Sequence, residues 1–381
     1  MAQAISILHS SDITSTAIGP GEMDQGALTN AMIACARADR WEEGLNLLQL
    51  YGVKTPRKTN SISVVALNAI MAACGRKGRP DVAFSVLNDM ERYGIKPDER
   101  SYRSVVVACN QAEHQKRRLL ASSSGKDKIG NEDEAEPTFQ WWEASVALLR
   151  RMREDGLQPD IQTFSSCISA CEAAGQWQRA LAILQSMIDS NPEGNEAKFL
   201  NLFCFNAAIS SCEKGGAWVE ALEVYERMIS YGGPLQPNFV TLSSLVLALA
   251  NAGQKELADS KYLEGLTKLR IVKPWRTTRD SNGDAIKAMD LHKFNAAMAC
   301  SAVRGFLDPL LKRGEDSVIE EDLIIIVGKG LRSAEEAILL PTLQELLRKE
   351  YGIYAEADAG NKGRIVIKSK ELRELIAGRS W

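Results

Sequence analysis

The chain has 381 residues, of which 45% are apolar and 25% charged, values typical of a folded protein. Its formal net charge is −3 with an isoelectric point near 5.9, so bulk positive charge does not hold it to nucleic acid, and any basic stripe must be a local patch. No run approaches the roughly 18 apolar residues that a membrane-spanning helix needs, and we therefore expect no spanning helix.

The first 25 residues contain no Lys or Arg but include Asp12, Glu22 and Asp24. That composition is the opposite of an Arg-rich transit peptide. The stretch AQAISILHS aligns with QRALAILQS, which lies further along the chain. We therefore expect residues 1–24 to be a partial repeat or an N-terminal extension, with the chain beginning inside a repeat array.

A pattern recurs from residue 25 to residue 273, at a period of about 35 residues with insertions. Each copy has a leading residue followed six positions later by a cysteine, which is replaced by Leu249 in the sixth copy. A turn glycine then follows in most copies, and a small residue opens the next apolar stretch. The leading residues are Thr29, Asn68, Arg103, Ser165, Asn206 and Ser243.

Each copy is predicted to form two helices joined by a short turn, as in NAAISSCEK followed by VEALEVYERM. One such pair cannot bury its apolar face alone, so the copies must stack into an α-helical solenoid of about six helix pairs. A protein of this class is expected to act along a surface.

The eight cysteines lie mostly on apolar helix faces, and the sequence contains no CxxC. Cys167 and Cys171, four residues apart, fit small core residues better than metal ligands or a disulfide. A reducing compartment is the simpler expectation.

Within the third repeat, residues 114–137 form an insertion that begins basic at Lys116, Arg117 and Arg118 and ends acidic. Its low apolar content predicts a disordered, solvated loop. A phosphate-contacting arm is the alternative interpretation.

Residues 274–285 are rich in Gly, Pro and charge and are predicted to be a linker. Beyond them, IKAMDLHK, DLIIIVG, IYAEA and GRIVIK have strand patterns, and three stretches between and after them have helical periodicity. Alternating strands and helices predict a small α/β domain over residues 286–381.

The repeats resemble the pentatricopeptide repeat family, most clearly in VVALNAIMAACGRKGRPDVAFSVLNDMERYGIKPD and IQTFSSCISACEAAGQWQRALAILQSM. The resemblance implies that each repeat reads one unpaired RNA base with its leading residue and a polar residue that closes the repeat. The pairs are Thr29 with Ser63, Asn68 with Asp98, Arg103 with Asp160, Ser165 with Asn201, and Asn206 with Asn238, while Ser243 has no clear closing partner.

In the family's pairing the second repeat resembles uracil readers, the fourth adenine readers and the fifth cytosine readers. The third, Arg103 with Asp160, departs from that code. The expected core is therefore U, any base, A, C from the RNA 5′ end. For each polar residue taken singly, a helix N-cap or turn role is the alternative, because Asn, Ser, Thr and Asp favour those sites.

Residues 286–381 resemble the small MutS-related domain, on the motifs MDLH, IIIVGKG, LLPTLQELL and NKGRIVI. Members bind nucleic acid, and several nick DNA or RNA. Asp290 and His292 are candidate catalytic residues, since they lie on one face of a strand and can activate water or a ribose hydroxyl, or hold a metal. The candidate phosphate contacts are Gly328, Lys329, Gly330, Arg332, Lys362 and Arg364. Val327 takes the place of the family's usual Thr.

Together the two resemblances imply an organellar RNA-processing or RNA-stabilising protein of plants or algae, in the chloroplast or mitochondrion. Its partners would be single-stranded RNA and other processing proteins, and a divalent metal would be needed only if the C-terminal domain is a nuclease. Two alternatives stay open: an endonuclease acting on RNA or DNA, and a protein-interaction scaffold. The second alternative follows from the acidic isoelectric point and the helical-repeat architecture.

Overall fold

A computed structural model describes residues 25–52, 63–92, 94–123, 139–190, 200–279, 285–314, 321–328, 334–355, 357–358 and 361–378. The chain divides into two compact units, which meet between Ser211 and Cys212. That boundary falls inside a helix of the fifth repeat.

Twelve α-helices precede the sheet in the described part of the chain. They are α1 (Gln25–Arg37), α2 (Trp41–Gly52), α3 (Val64–Lys77), α4 (Pro80–Arg92), α5 (Glu99–Ser123), α6 (Trp141–Glu154), α7 (Ile161–Ala173), α8 (Trp177–Asp189), α9 (Leu202–Lys214), α10 (Trp218–Tyr231), α11 (Phe239–Asn251) and α12 (Lys255–Thr267). Each repeat contributes two of them, which confirms the predicted helix pairs.

In the first unit, the first helices of successive repeats lie side by side, α1 against α3, α3 against α5 and α5 against α7. Each second helix packs against the first helix of its own repeat. This ordered stacking is the arrangement predicted from the repeat.

The ends of α3 show why these segments are helical. The Ser63 hydroxyl accepts a hydrogen bond from the Val65 N–H at the N-cap, and Gly78 closes the helix at φ +62°, where its N–H donates to the carbonyls of Cys74 and Gly75. Close packing between repeats has a similarly local cause, since a Cβ on Gly44 of α2 would lie 3.1 Å from Ile70 Cδ1 of α3. A small residue at this position lets the two helices approach.

The predicted disordered insertion is wrong over its first ten residues, which continue α5 to Ser123. Gln, Lys, Arg, Leu and Ala in this stretch are good helix formers. At its base the Glu113 carboxylate accepts hydrogen bonds from the N–H groups of Trp141 and Trp142 at the start of α6. Residues 124–137 of the insertion lie outside the described residues.

The second unit contains a five-stranded sheet of order β1-β2-β3-β5-β4. The strands are β1 (Trp275–Arg279), β2 (Ala285–Asp290), β3 (Leu323–Ile326), β4 (Ala357–Asp358) and β5 (Asn361–Ile367). The helices α13 (Ala296–Arg313), α14 (Ala334–Leu346), a π-helical turn (Leu347–Tyr351) and α15 (Ser369–Gly378) complete it. Only the β2–β3 pair is parallel, and its neighbours are antiparallel. A small α/β domain is therefore present, as predicted.

Two boundaries predicted for this domain need correction. The predicted linker 274–285 contains β1, which pairs antiparallel with β2 and places Trp275 opposite Met289. Its residues WRTTR lack an apolar alternation because Arg276 and Thr277 of this edge strand are exposed. The strand predicted for IYAEA (353–357) begins later than expected, since residues 353–355 are not in a strand and β4 is Ala357–Asp358.

The repeated cysteines Cys35, Cys74, Cys109, Cys171 and Cys212 are all buried, and so are the small residues of the second helices. All eight cysteines are free thiols. Seven of them are buried core residues, in agreement with the sequence interpretation, and Cys300 is partly exposed.

Candidate nucleic-acid interface

A groove of about 640 Å³ runs across the first helices of repeats 1 to 3, α1, α3 and α5. Asn68 and small apolar residues form its floor, and six charged side chains border it. Those residues are Arg37, Asp39, Arg76, Asp98, Arg100 and Arg103. Arg76 is paired with Asp39 and Arg103 with Asp160, so Arg37 and Arg100 beside Asp98 give the groove its local positive charge.

Asn68 and Asp98, the pair predicted for the second repeat, meet directly in this groove. The Asn68 Nδ2 amide donates to Asp98 Oδ1 at 2.9 Å. The Ser101 hydroxyl lies 2.7 Å from Asn68 Oδ1, to which it can donate, and the Ser101 N–H donates to Asp98 Oδ1 at 2.9 Å. Asn68 is therefore fixed in one orientation, with one amide N–H and one carbonyl lone pair left for a ligand.

The same contacts keep Asp98 ionised. Burial raises the pKa of its carboxyl, but the hydrogen bonds from the Ser101 N–H and the Asn68 amide lower it by more. The net pKa lies below the ordinary value, so at neutral pH Asp98 only accepts hydrogen bonds.

The third repeat's predicted pair, Arg103 with Asp160, is also a direct contact. Arg103 Nη1 lies 2.5 Å from Asp160 Oδ2, and the other carboxylate oxygen accepts from the N–H and hydroxyl of Thr163. Burial raises the pKa of Asp160, while Thr163 and Arg103 lower it by more, so the pair is ionic. The Arg103 guanidinium is therefore a cation whose position is fixed by the Asp160 carboxylate.

The closing residues are also helix caps. Ser63, Asp98, Asp160, Asn201 and Asn238 each accept a backbone N–H from the first turn of the following helix. The N-cap interpretation is confirmed for all five. In Asp98 and Asp160 the carboxylate both caps its helix and contacts the leading residue of the preceding repeat.

Thr29 and Ser165 lie at the expected helix positions without such a bridge in the described part of the chain. Thr29 is half-buried on α1, and the Ser165 hydroxyl donates to the Gln162 carbonyl of its own helix. Within the described residues, we find no hydrogen bond from Thr29 to Ser63 or from Ser165 to Asn201. Asn206 is half-buried on α9.

Sequence reasoning missed three exposed apolar residues, Val65, Phe203 and Val240, with 57%, 55% and 54% of their surfaces exposed. Each lies three residues before a leading residue and therefore on the same helix face. These residues could have been identified in the sequence, because each is an apolar side chain on the polar face of a helix. The third and fourth repeats have Arg100 and Gln162 at this position.

In the sixth repeat, Ser243 contacts the α/β domain. Asn295 Nδ2 donates to the Ser243 hydroxyl oxygen at 2.8 Å and to its carbonyl at 3.0 Å. A side chain from the other domain thus lies against the predicted reading residue.

Asp290 is the last residue of β2 and His292 lies in the turn that follows, so the prediction that both residues lie on the strand is wrong. Asp290 Oδ1 is 2.6 Å from His292 Nδ1, and Arg276 Nη1 of β1 is 2.9 Å from Asp290 Oδ2. Because a carboxylate only accepts, Nδ1 carries a proton and donates to Asp290. Arg276 was not among the predicted site residues, since its strand was assigned to a linker.

The predicted phosphate contacts are only partly described. Gly328 follows β3 with φ +85°, and Arg364 of β5 donates to the Thr278 hydroxyl at 3.3 Å. Because β2 and β3 are parallel, Gly328 lies at the same sheet edge as Asp290. Val327 is fully buried. Lys329, Gly330 and Arg332, together with the Lys362 side chain, lie outside the described residues.

These residues do not fit a divalent metal. The Asp290 carboxylate is shared between His292 and a cationic guanidinium, which occupies the place a cation would need. The described ranges hold no group of three or more His, Cys, Asp or Glu side chains able to hold a metal ion.

In those ranges, likewise, no helix is long and apolar enough to cross a membrane.

Three segments of the chain match family profiles, those of the PPR repeat family (residues 62–111), the pentatricopeptide repeat domain (147–191) and the PPR repeat (203–233). The chain is 28% identical over 177 residues to the chloroplastic pentatricopeptide repeat-containing protein 10 of Zea mays. That alignment covers 42% of this chain and 21% of the maize protein, so the match spans about a fifth of the relative.

Solved structures give weaker similarities. The crystal structure of maize PPR10 matches 80% of this chain and 39% of its own, with 21% identity and a TM-score of 0.38. The PPR domain of Arabidopsis thaliana protein-only RNase P 1, in complex with tRNA, matches 53% of this chain and 89% of its own, with 14% identity and a TM-score of 0.39. From the profile matches, three segments between residues 62 and 233 are similar to pentatricopeptide repeats, and each of them lies in helix pairs of the array.

Proposed function

We propose that the repeat array binds single-stranded RNA and reads bases along the first helices of its repeats. The observation that carries this proposal is the Asn68 amide, which Asp98 and Ser101 hold in one orientation inside a basic groove. A preorganised amide loses little conformational entropy when it meets a base edge.

The charge of Asp98 favours bases that donate. Uracil presents an N–H between two carbonyl groups, so it can donate to the Asp98 carboxylate or the Asn68 carbonyl and accept from the Asn68 N–H. Adenine and cytosine present a ring-nitrogen lone pair at the corresponding position, which the carboxylate repels. This chemistry agrees with the family assignment of the second repeat to uracil.

The exposed apolar residues supply the second part of a base site. Val65 lies one helical turn from Asn68 on the same face, so a base whose edge meets Asn68 can rest its ring on Val65. Phe203 likewise lies one helical turn before Asn206 on the same helix face. Arg37 and Arg100, at the border of the groove, are available for the phosphates.

Carrying the family pairing across the array gives the proposed core U, any base, A, C for repeats 2 to 5. The tests are Asn68→Ala and Asn206→Ala, assayed by fluorescence anisotropy with a labelled single-stranded RNA containing this core. Each should weaken binding by about 1–2 kcal/mol, roughly tenfold, because a paired base edge is lost.

Asn88→Ala is the matched control, since Asn88 is exposed on the second helix α4. It should bind like the parent. Unchanged affinity in both test variants would remove base reading from the account. Binding insensitive to salt, or no RNA binding at all, would favour a protein-interaction scaffold.

We propose organellar transcript processing or end protection as the cellular role. The support is the resemblance of the repeats and the α/β domain to the plant and algal group, and the chloroplastic relative. A fluorescent fusion imaged in plant cells should co-localise with chloroplasts or mitochondria, and a purely cytosolic signal would contradict this role.

A second candidate function is RNA cleavage by the α/β domain, favoured by the Asp290–His292 contact. His292 Nε2 would take the proton of a ribose 2′-hydroxyl, and the 2′-oxygen would bond to the adjacent phosphorus. The bond from phosphorus to the 5′-oxygen would break, and that oxygen would take a proton from solvent water. The products are a 2′,3′-cyclic phosphate and a 5′-hydroxyl. Asp290 would stabilise the imidazolium, and Arg276 would hold Asp290 in place.

His292→Ala should abolish cleavage of a labelled RNA without weakening its binding. Replacing the ribose at the cut with deoxyribose should also stop the reaction in the parent protein. Equal cutting by the variant and the parent would eliminate this candidate.

A further inference from the structure

The last repeat and the α/β domain are joined by specific contacts inside the second unit. Arg304 of α13 makes a two-pronged ion pair with Asp259 of α12, at 2.6 and 3.0 Å. The Phe294 ring packs between Phe239 of α11 and Tyr262 of α12, with centroid distances of 5.4 and 6.5 Å. Repeat 6 and the start of α13 therefore form one packed body.

Asn295 lies at the centre of this junction. Its amide donates to Ser243, while its Oδ1 accepts the Met298 N–H and caps α13. The Asn295 side chain is thus fixed at both its nitrogen and its oxygen, beside Ser243, the leading residue of the sixth repeat. Val240, one turn before Ser243, remains exposed.

We propose that residues 291–295 complete the sixth nucleotide position of the array. A ribonucleotide whose base rests on Val240 meets Asn295 beside Ser243, its phosphate is contacted by Lys293, and its ribose lies next to His292. This inference rests on the proposed RNA binding and adds that the α/β domain itself forms the last position.

Chain geometry supports the placement of His292. It is three residues from Asn295, so their Cα atoms lie within about 11 Å, a span that one nucleotide with its sugar and phosphate can bridge. Leu291 is buried and its N–H donates to the Ile326 carbonyl, which anchors the segment to the sheet. Lys293 is exposed between the two anchors, and His292 is partly exposed.

One consequence is chemical. The Asp290–His292 pair would face the nucleotide at the sixth position, so any reaction there would occur next to Ser243 and Asn295.

The test is photocrosslinking of the full chain to synthetic single-stranded RNAs containing the U, any base, A, C core. In each RNA a single 4-thiouridine replaces one position, either inside the core or directly before or after it, and the crosslinked peptide is identified by mass spectrometry. One of the two flanking probes should crosslink to residues 291–295. The interior probes should crosslink to repeats 2 to 5.

Affinity gives an independent readout. Lys293→Ala should weaken binding of the RNA carrying the sixth nucleotide about two- to fivefold, the effect of one exposed charge contact, and leave binding of the RNA trimmed by that nucleotide unchanged. Lys312→Ala, which removes an exposed lysine near the other end of α13, is the matched control and should change neither affinity.

The inference is overturned if neither flanking probe reaches residues 285–314 while the interior probes crosslink to the repeats. It is also overturned if Lys293→Ala and Lys312→Ala weaken both RNAs equally. Absence of crosslinks from every position would instead refute RNA binding by the array, so the two failures are distinguishable.

Discussion

Asp98 shows how one side chain can serve both fold and function. It caps α5 through the Ser101 N–H and at the same time accepts from the Asn68 amide of the preceding repeat. A residue that closes a repeat can therefore be a helix N-cap and a base reader at the same time. The cap fixes the carboxylate, and the fixed carboxylate orients the amide.

The lowered pKa of Asp98 makes part of the stability depend on pH. A carboxyl whose folded pKa is depressed stabilises the fold above its unfolded pKa, near 3.9, and this contribution is lost as the pH falls through the folded pKa. Asp98→Asn keeps a helix-capping residue but lacks this charge. In urea unfolding it should be less stable than the parent at pH 7, with a difference that shrinks below a pH of about 4.

Asp89→Asn is the control, because Asp89 contacts Arg92 in an exposed ion pair on α4. It should show no comparable pH-dependent difference. A constant gap between Asp98→Asn and the parent at all pH values would contradict the ionic role of Asp98.

The resemblance to the pentatricopeptide repeat family pairs Asn68 with Asp98, and the structure brings the two side chains to 2.9 Å. The base-reading role of the pair stays a prediction. Arg276 and Asn295 could not be identified in this way, because each contacts its partner across elements that no repeat relates. Their contacts depend on how the sheet and repeat 6 pack.

At the scale of elements, the recurring cysteine illustrates what each first helix requires. Cys74 is fully buried on α3, and burial raises the pKa of its thiol to about 11, so it is a neutral, weakly polar core residue. A small side chain is needed at this position, and a hydroxyl group there is expected to lower the stability of the fold.

Cys74→Ser should therefore destabilise the protein by about 1–3 kcal/mol, because the buried hydroxyl replaces a group that needs little hydrogen bonding. Cys74→Ala, which is smaller but apolar, should cost less. The free energies of unfolding from urea titrations give the comparison. A serine variant as stable as the alanine variant would show that the hydroxyl finds a partner and that this reasoning is wrong.

Element boundaries were predicted less well than element types. Charge and low apolar content indicated a disordered insertion, yet α5 continues to Ser123 because its side chains are strong helix formers. An edge strand at Trp275–Arg279 was taken for a linker, since one exposed face and one partner strand leave little apolar pattern. Hydrophobic periodicity reveals helices and strands that pack an apolar face against the core, and both of these segments pack little apolar surface.

At the scale of the whole molecule, the predicted division between repeats and α/β domain differs from the physical one. The compact units meet between Ser211 and Cys212, so the sixth repeat belongs with the sheet. The cause is the set of side chains on α11, α12 and α13 described above. Such contacts are specific to this chain and follow from neither repeat pattern nor strand pattern.

Arg304 is expected to hold that unit together. It is 90% buried against Asp259, so Arg304→Ala would leave a poorly solvated carboxylate and cost on the order of 3 kcal/mol. Hydrogen exchange should accelerate in both α12 and α13. Arg313→Ala, at the exposed end of α13, should not have this effect, and acceleration confined to α13 would contradict a shared unit.

Selection from a random pool of single-stranded RNA by the purified protein, at near-physiological salt, tests the central claim most directly. The account predicts enrichment of a short motif with U, A and C in the order of repeats 2, 4 and 5, and loss of the U preference in Asn68→Ala. A pool that shows no enrichment, or a motif that Asn68→Ala leaves unchanged, would contradict base reading by this array.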